Sequence, residues 1–378
     1  MYLLHCFEKG FYYPLIYCLS KRYRSLYETY SVSKNCVTLH TKGLSYFNSL
    51  FIRMRYHLSS LLLGFIAFLA VGCEALPEPT EPVVFVQKQS LPTGRASAAS
   101  FVVDGKAYVL SGRSANNKIL RDFWMYNPLT DKWTELDSVP FTGRVKAISG
   151  VVDGAAYVGL GFNGHVYTDS AYRRDFWRYD LQTTTWTRCA DFPSHNTDVA
   201  VSFVFGKRIF VAFGFFDGFT RDVYAYDTQT DKWTRCDDSS AYGRAGAVGC
   251  SNGARYFAGT GYNTTNMNDW WEFYPESTTW IQRAHIPGAG RMFASATAVD
   301  ERIFVLGGRH FGGSLTTGFL FDDLLEYDVA ADKWLLRGRL PQGGRENMIA
   351  FSINGQGYFG LGEDASGKIC NDFYTWHD

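Results

Sequence analysis

An acidic residue stands eleven positions before a tryptophan five times in this chain: Asp122 and Trp133, Asp175 and Trp186, Asp222 and Trp233, Asp269 and Trp280, Asp323 and Trp334. Each span reads as an aromatic strand, a turn and a second strand, as in residues 222–233, DVYAYDTQTDKW. A sixth acid, Asp372, opens another such strand. Self-similarity at a fixed step marks a repeat architecture, in which one supersecondary unit recurs and buries its apolar surface against its neighbours.

Three further marks keep step with the tryptophans. Proline follows seven residues on at Pro140, Pro193, Pro287 and Pro341, with Ser240 the exception. Arginine follows eleven residues on at Arg144, Arg244, Arg291 and Arg345, with Thr197 the exception. Seventeen residues past that slot stands a glycine, at Gly161, Gly214, Gly261, Gly308 and Gly362, and Arg95 and Gly112 keep the same step in the first copy. Between arginine slot and glycine the pattern predicts a β-hairpin, turning at Asp104-Gly105, Asp153-Gly154, Gly206-Lys207, Gly253-Ala254, Asp300-Glu301 and Asn354-Gly355. Asp-Gly and Asn-Gly suit type I′ turns and Gly-X suits type II′, because these turns need positive φ; Asp300-Glu301 is the awkward member.

Adding the strand that begins at the acid and the strand that carries the tryptophan makes four antiparallel strands, one blade of a propeller. Six copies therefore predict an all-β, six-bladed propeller over residues 83–378. The sixth copy lacks its fourth strand, while Phe85 precedes Pro92 by seven residues, the tryptophan-to-proline step. We expect residues 83–87 to pair beside 372–376 and close the ring, which covers an otherwise open edge.

The glycine at the strand end, the aromatic strand before a turn and the spaced tryptophan resemble Kelch repeats, and the resemblance spans residues 83–378. The paired glycines of that family stand in full only at Gly307-Gly308; elsewhere the first is Ser111, Leu160, Phe213, Thr260 or Leu361. The resemblance implies a Kelch-type propeller. Such propellers include sialic acid epimerases (mutarotases) of bacteria, and fold alone does not choose among functions.

Charge and cysteine usage narrow the partners. Residues 1–72 hold eight Lys/Arg and two Glu, which leaves 29 of 37 basic and 35 of 37 acidic residues to residues 73–378, a net of −6. A body of this sign has no cationic footprint for phosphate backbones, so no nucleic-acid partner is expected. Eight cysteines form no CxxC pair, and the five histidines after residue 73 are scattered, so neither a metal nor a cofactor is expected. Cys189 and Cys236 occupy one repeat position on different blades, which predicts unpaired thiols.

Residues 54–73, MRYHLSSLLLGFIAFLAVGC, join a cationic start at Arg55 to an apolar run and small residues before Cys73. This resembles a bacterial lipoprotein signal, which implies lipidation at Cys73. The expected organisation is an upstream extension over 1–53 preceding a true start at Met54, a signal peptide over 54–72, an acidic Pro-rich tether over 73–82 and the propeller over 83–378. The propeller would be a monomeric domain, anchored in the bacterial cell envelope on the periplasmic side or at the cell surface.

Length variation is concentrated in one loop. The step from repeated glycine to acid is 10, 14, 8, 8, 15 and 10 residues in the six copies. Variable loops gathered on one face of a rigid scaffold are the default ligand surface. The residues directly after the glycines, Arg113, Phe162, Phe215, Tyr262, Arg309 and Glu363, should ring the channel mouth. His310, Asn163, His165, Asp217, Asn263 and Asp364 should lie farther out. Rings beside arginines and carboxylates can stack on a sugar and bind its hydroxyls, or hold a peptide; they can equally plug the channel. Arg95, Arg144, Arg244, Arg291 and Arg345 recur too regularly for ligand contacts and are expected to hold blades together, as are Trp133, Trp186, Trp233, Trp280 and Trp334. Blade three, with Thr197 beside His195 and Asp198, breaks the pattern.

Two classes of function stay open. One is a lipid-anchored binding module presenting a face to a glycan or protein. The other is a sugar-processing enzyme of the sialic acid epimerase type, in which Glu363, His310, Arg309 and Arg113 could act as acid and base. No local motif marks a catalytic set, so no catalytic residue is assigned.

Overall fold

The computed structural model describes residues 78–79, 81–164, 168–195, 198–236, 241–313 and 317–378. The extension over 1–53, the signal over 54–72, Cys73, His165 and Thr197 lie outside the described residues.

Six four-stranded antiparallel sheets make up the body. Blade one runs outward through Ala99–Val103, Lys106–Leu110, Phe123–Asn127 and Lys132–Leu136. The next four blades repeat that order. Each innermost strand lies beside those of both neighbouring blades, and the sixth, Ile349–Ile353, lies beside the first, so the ring is closed. The all-β, six-bladed architecture with four strands per blade matches the reading of the repeats.

Hairpin turns follow their chemistry. Asp104 and Gly105 take φ of 51° and 68°, and Asn354 and Gly355 take 50° and 75°, as a type I′ turn requires. The awkward pair is accommodated by Asp300 alone, at φ 54°.

Closure uses the strand Val84–Lys88, one residue later than expected, paired with Phe373–His377 in the register Val84 to His377. Phe85 fills the tryptophan slot of blade six. Its ring meets Phe359 edge-on at 5.7 Å and lies over Gly338 of blade five, where a Cβ would come within 3.1 Å of it.

The tryptophans join blades. Trp133 packs against Phe373 of blade six at 5.3 Å, Trp186 against Phe123 of blade one at 5.6 Å, and Trp233 against Phe176 of blade two at 5.2 Å. Trp334 meets Trp270 of blade four at 5.4 Å. Indole N–H groups add a polar link to the same neighbour, as Trp133 donates to the Gln89 carbonyl at 2.8 Å and Trp233 to Ala190 at 2.9 Å. Aromatic pairs of this kind contribute about 0.5–1.5 kcal/mol beyond area burial.

The repeated arginines are buried, each at most 3% exposed. Arg244 grips the Asp269 carboxylate with both terminal nitrogens, at 2.5 and 2.7 Å, and donates to the Thr260 carbonyl at 2.9 Å. Arg95 with Asp122, Arg291 with Asp323 and Arg345 with Asp372 form the same two-pronged pair, and Arg144 meets Asp175 at 2.6 Å. The acid and the arginine slot thus recur together because each neutralises the other where water is excluded. In blade three, Asp222 instead accepts from Arg235 of the adjacent strand at 2.8 Å. Cys189 and Cys236 are half-buried and form no disulfide among the described residues.

Candidate functional site at the channel mouth

Two residues past each arginine slot the backbone enters the left-handed region. Ser97, Lys146, Val199, Gly246, Phe293 and Asn347 have φ between 53° and 66°. These six positions circle the axis, and backbone bonds link four of the neighbouring pairs: Lys146 N–H to Ser97 carbonyl, Ser97 to Asn347, Asn347 to Phe293 and Phe293 to Gly246, at 2.9–3.0 Å. Only Gly246 is a glycine here, and a Cβ there would come within 2.8 Å of the Phe293 ring. The ring forms a throat around a cavity of about 150 Å³. Below it the channel widens to about 500 Å³, lined by small residues of the inner strands such as Ala98, Ser100, Ala147 and Ser202.

Just above the throat, the residue after each repeated glycine pairs with the residue after the arginine slot. Ala96 faces Arg113, Val145 Phe162, Asp198 Phe215, Ala245 Tyr262, Met292 Arg309 and Glu346 Glu363. This ladder places the six expected mouth residues at equivalent positions, yet it treats them differently.

The three aromatic members are buried, at 3–5% exposure, beneath residues of the loops at the mouth. Phe162 packs edge-on against Tyr172, Phe215 against Phe219, and Tyr262 against Phe311. They form small apolar clusters rather than a stacking surface. His310 also has a structural contact. Its Nδ1 donates to the Gly290 carbonyl at 2.8 Å, and its ring stacks on Phe319 at 5.1 Å. Asn163 and Asn263, at the same repeat position, donate to the equivalent carbonyls of Gly143 and Gly243. With Nδ1 as donor to a carbonyl, neutral His310 keeps its proton there and leaves Nε2 as an acceptor.

The charged members converge on three adjacent blades. Arg113 of blade one pairs with Glu363 of blade six at 2.5 Å, and Arg309 of blade five pairs with Glu346 of blade six at 2.8 Å. The result is an arc of alternating charge, Arg309, Glu346, Glu363, Arg113. Arg113 and Glu363 keep 14% and 15% of their side-chain surface, while Glu346 is fully buried.

The throat adds groups that the repeat alone does not single out. Lys146 of blade two crosses the axis, donates to the Asn347 amide oxygen of blade six and sits 3.9 Å from the ring centroid of Phe293 in blade five. Desolvation lowers its ammonium to about 8, against the pull of Glu346, Asp198 and Glu363. Burial raises Asp198 to about 6, against Lys146 and the Val199 N–H. Burial also raises Glu363, opposed by Arg113. The signal for two of these groups was present in the repeat. The position after the arginine slot is apolar in blades one, two, four and five and acidic only at Asp198 and Glu346. Among the described residues no cluster of His, Cys, Asp or Glu is grouped to hold a metal ion.

Comparison with known proteins agrees with this architecture. The KLHDC2/KLHL20/DRC7 Kelch-repeats domain matches residues 81–251 and 162–308. The solved structure of YjhT is similar to this chain with a TM-score of 0.65 and 18% identity, over 77% of this chain and 99% of YjhT, a likeness of fold. No curated protein sequence matches.

Proposed function

The chain belongs to the Kelch-repeat family, and we propose that it is a ligand-binding propeller that takes a small polyhydroxylated ligand, a glycan terminus or free sugar, at the loop-face mouth of its channel. The observation that carries this reading is the charged arc of blades five, six and one. Arg309 of blade five, Glu346 and Glu363 of blade six and Arg113 of blade one gather donors and acceptors side by side at one rim of the mouth. Arg–carboxylate pairs of this kind present fixed N–H groups and lone pairs that match vicinal hydroxyls, and a rigid scaffold limits the ordering cost of binding. In the same reading the lipoprotein-like segment ending at Cys73 anchors the propeller at a bacterial membrane and the tether lets the mouth face outward.

A thermal-shift titration of the full chain with neutral sugars, acidic sugars and short glycans tests the proposal. A ligand at a hundred times its Kd adds about 2.7 kcal/mol, and Arg113→Ala with Arg309→Ala should remove that gain. Absence of a shift with every sugar would turn the reading toward a protein partner.

One observation favours a second reading, a sugar isomerase of the epimerase type. Glu363 in the arc and Asp198 at the equivalent level of blade three are both displaced toward neutrality, and in such a channel one carboxyl can hold a proton while another accepts one. Exchange NMR between the anomers of any sugar that binds would separate the two: catalysed exchange lost in Glu363→Gln makes the propeller an enzyme, and unchanged exchange leaves it a binding module.

A further inference from the structure

We propose that Lys146 is a covalent attachment point for small carbonyl compounds, its amine forming an imine with an aldehyde or ketone that enters the channel mouth. The placement of the amine carries the argument. Lys146 borders the throat cavity of about 150 Å³ together with Phe293, Asn347 and Gly246, a space for a molecule of a few heavy atoms. Its Nζ rests on two neutral partners, the Asn347 amide oxygen and the Phe293 ring face. Among the described residues no carboxylate lies within ion-pair distance of it, whereas Arg113 and Arg309 are both paired. An amine held in a desolvated pocket with no carboxylate in contact has a larger neutral fraction near pH 8 than an exposed lysine, and the neutral amine is the nucleophile. The charges that act on it are Glu346, Asp198, Glu363 and Arg113.

The reaction balances without a co-reactant. The Nζ lone pair adds to the carbonyl carbon and a proton passes to the carbonyl oxygen, giving a carbinolamine. That hydroxyl then leaves as water, taking a proton from a general acid while nitrogen forms the C=N bond. Deprotonation of the nitrogen restores the acid, so amine and carbonyl yield imine and water with no change of oxidation state. Asp198, nearly buried and next in the chain to Val199, which lines the same cavity as Lys146, is the carboxyl assigned here as that acid. The inference does not rest on sugar binding by the charged arc and stands or falls separately.

The test is reductive trapping. The full chain is incubated with pyruvate and sodium cyanoborohydride at pH 8, digested, and mapped by mass spectrometry. Lys146 should be labelled about tenfold faster than the exposed Lys132 and Lys232. Lys146→Arg should abolish only that adduct. Asp198→Asn should slow labelling at Lys146 and leave the exposed lysines unchanged; an unchanged rate at Lys146 would remove Asp198 as the acid. Labelling of Lys146 no faster than of Lys132, or its absence, overturns the proposal, and this comparison within the wild-type chain needs no variant to fold.

Discussion

Lys146 and Phe293 belong to opposite blades of the propeller, and the ammonium of one lies 3.9 Å from the ring centroid of the other across the channel throat. This contact divides the channel into an upper mouth, where the charged arc sits, and a lower cavity walled by small residues. It depends on Gly246, the one glycine in the left-handed circle, whose missing side chain leaves room for the Phe293 ring.

Substitution at Gly246 should therefore be felt at Phe293. The five other positions of the circle carry side chains at the same φ, so backbone conformation alone does not demand glycine. Gly246→Ala should destabilise by about 1–3 kcal/mol through overpacking. Phe293→Ala in the same chain should cancel part of that cost. A double-mutant cycle on urea-unfolding midpoints checks it; strictly additive effects would separate the two residues.

The buried arginine–aspartate pairs predict a different pattern. Arg244→Met leaves the Asp269 carboxylate, 7% exposed, without its partner and should cost about 3–5 kcal/mol. Adding Asp269→Asn should recover much of it, because the uncompensated charge is then gone. Thermal unfolding of the single and double variants distinguishes this from simple loss of packing, in which the second substitution would not help.

How much of this was legible beforehand follows from what a repeat can and cannot encode. Six copies at fixed spacing made the blades, the turns and the closing role of Phe85 readable, because each position was sampled several times. Arg113, Arg309 and Glu363 were found as mouth residues by the same counting. Phe162, Phe215 and Tyr262 share that register, but their burial depends on Tyr172, Phe219 and Phe311, which lie in loops of unequal length with no common frame. Lys146 and Glu346 are not marked by the repeat itself, because the positions that follow the arginine slot share no residue type: only two copies carry an acid there and only one a lysine.

The closing strand should control the stability of the whole ring. Removing residues 83–90 strips the outer strand from blade six and exposes the Phe373–His377 edge. Phe85→Ala is the milder version and should cost about 3 kcal/mol, a fall in Tm of several degrees for a domain this size. Calorimetry of both chains reads the effect; melting unchanged by the deletion would contradict a ring tied at this seam.

Titration at the throat should bend the pH profile of stability in two places. Asp198 has a folded pKa raised from 3.8 to about 6, so the folded state holds its proton more tightly and stability is lost as pH rises between those values. Lys146 is lowered from 10.5 to about 8, so stability is lost as pH falls from 10.5 through 8. Together they predict a shallow minimum between about pH 6 and 8. Asp198→Asn should remove the acid limb, and Lys146→Met the alkaline limb. Denaturant titrations from pH 4 to 10 would show whether the limbs vanish separately.

Hydrogen exchange with and without a bound sugar tests the central claim most directly, because it reports where the ligand sits. Binding at the arc predicts added protection at residues 112–114, 308–310 and 362–364, with none at the opposite-face turns Asp104-Gly105 and Asn354-Gly355. Protection confined to those turns or to the outer strands, or no change at the mouth with a sugar that binds, would contradict the placement of the site.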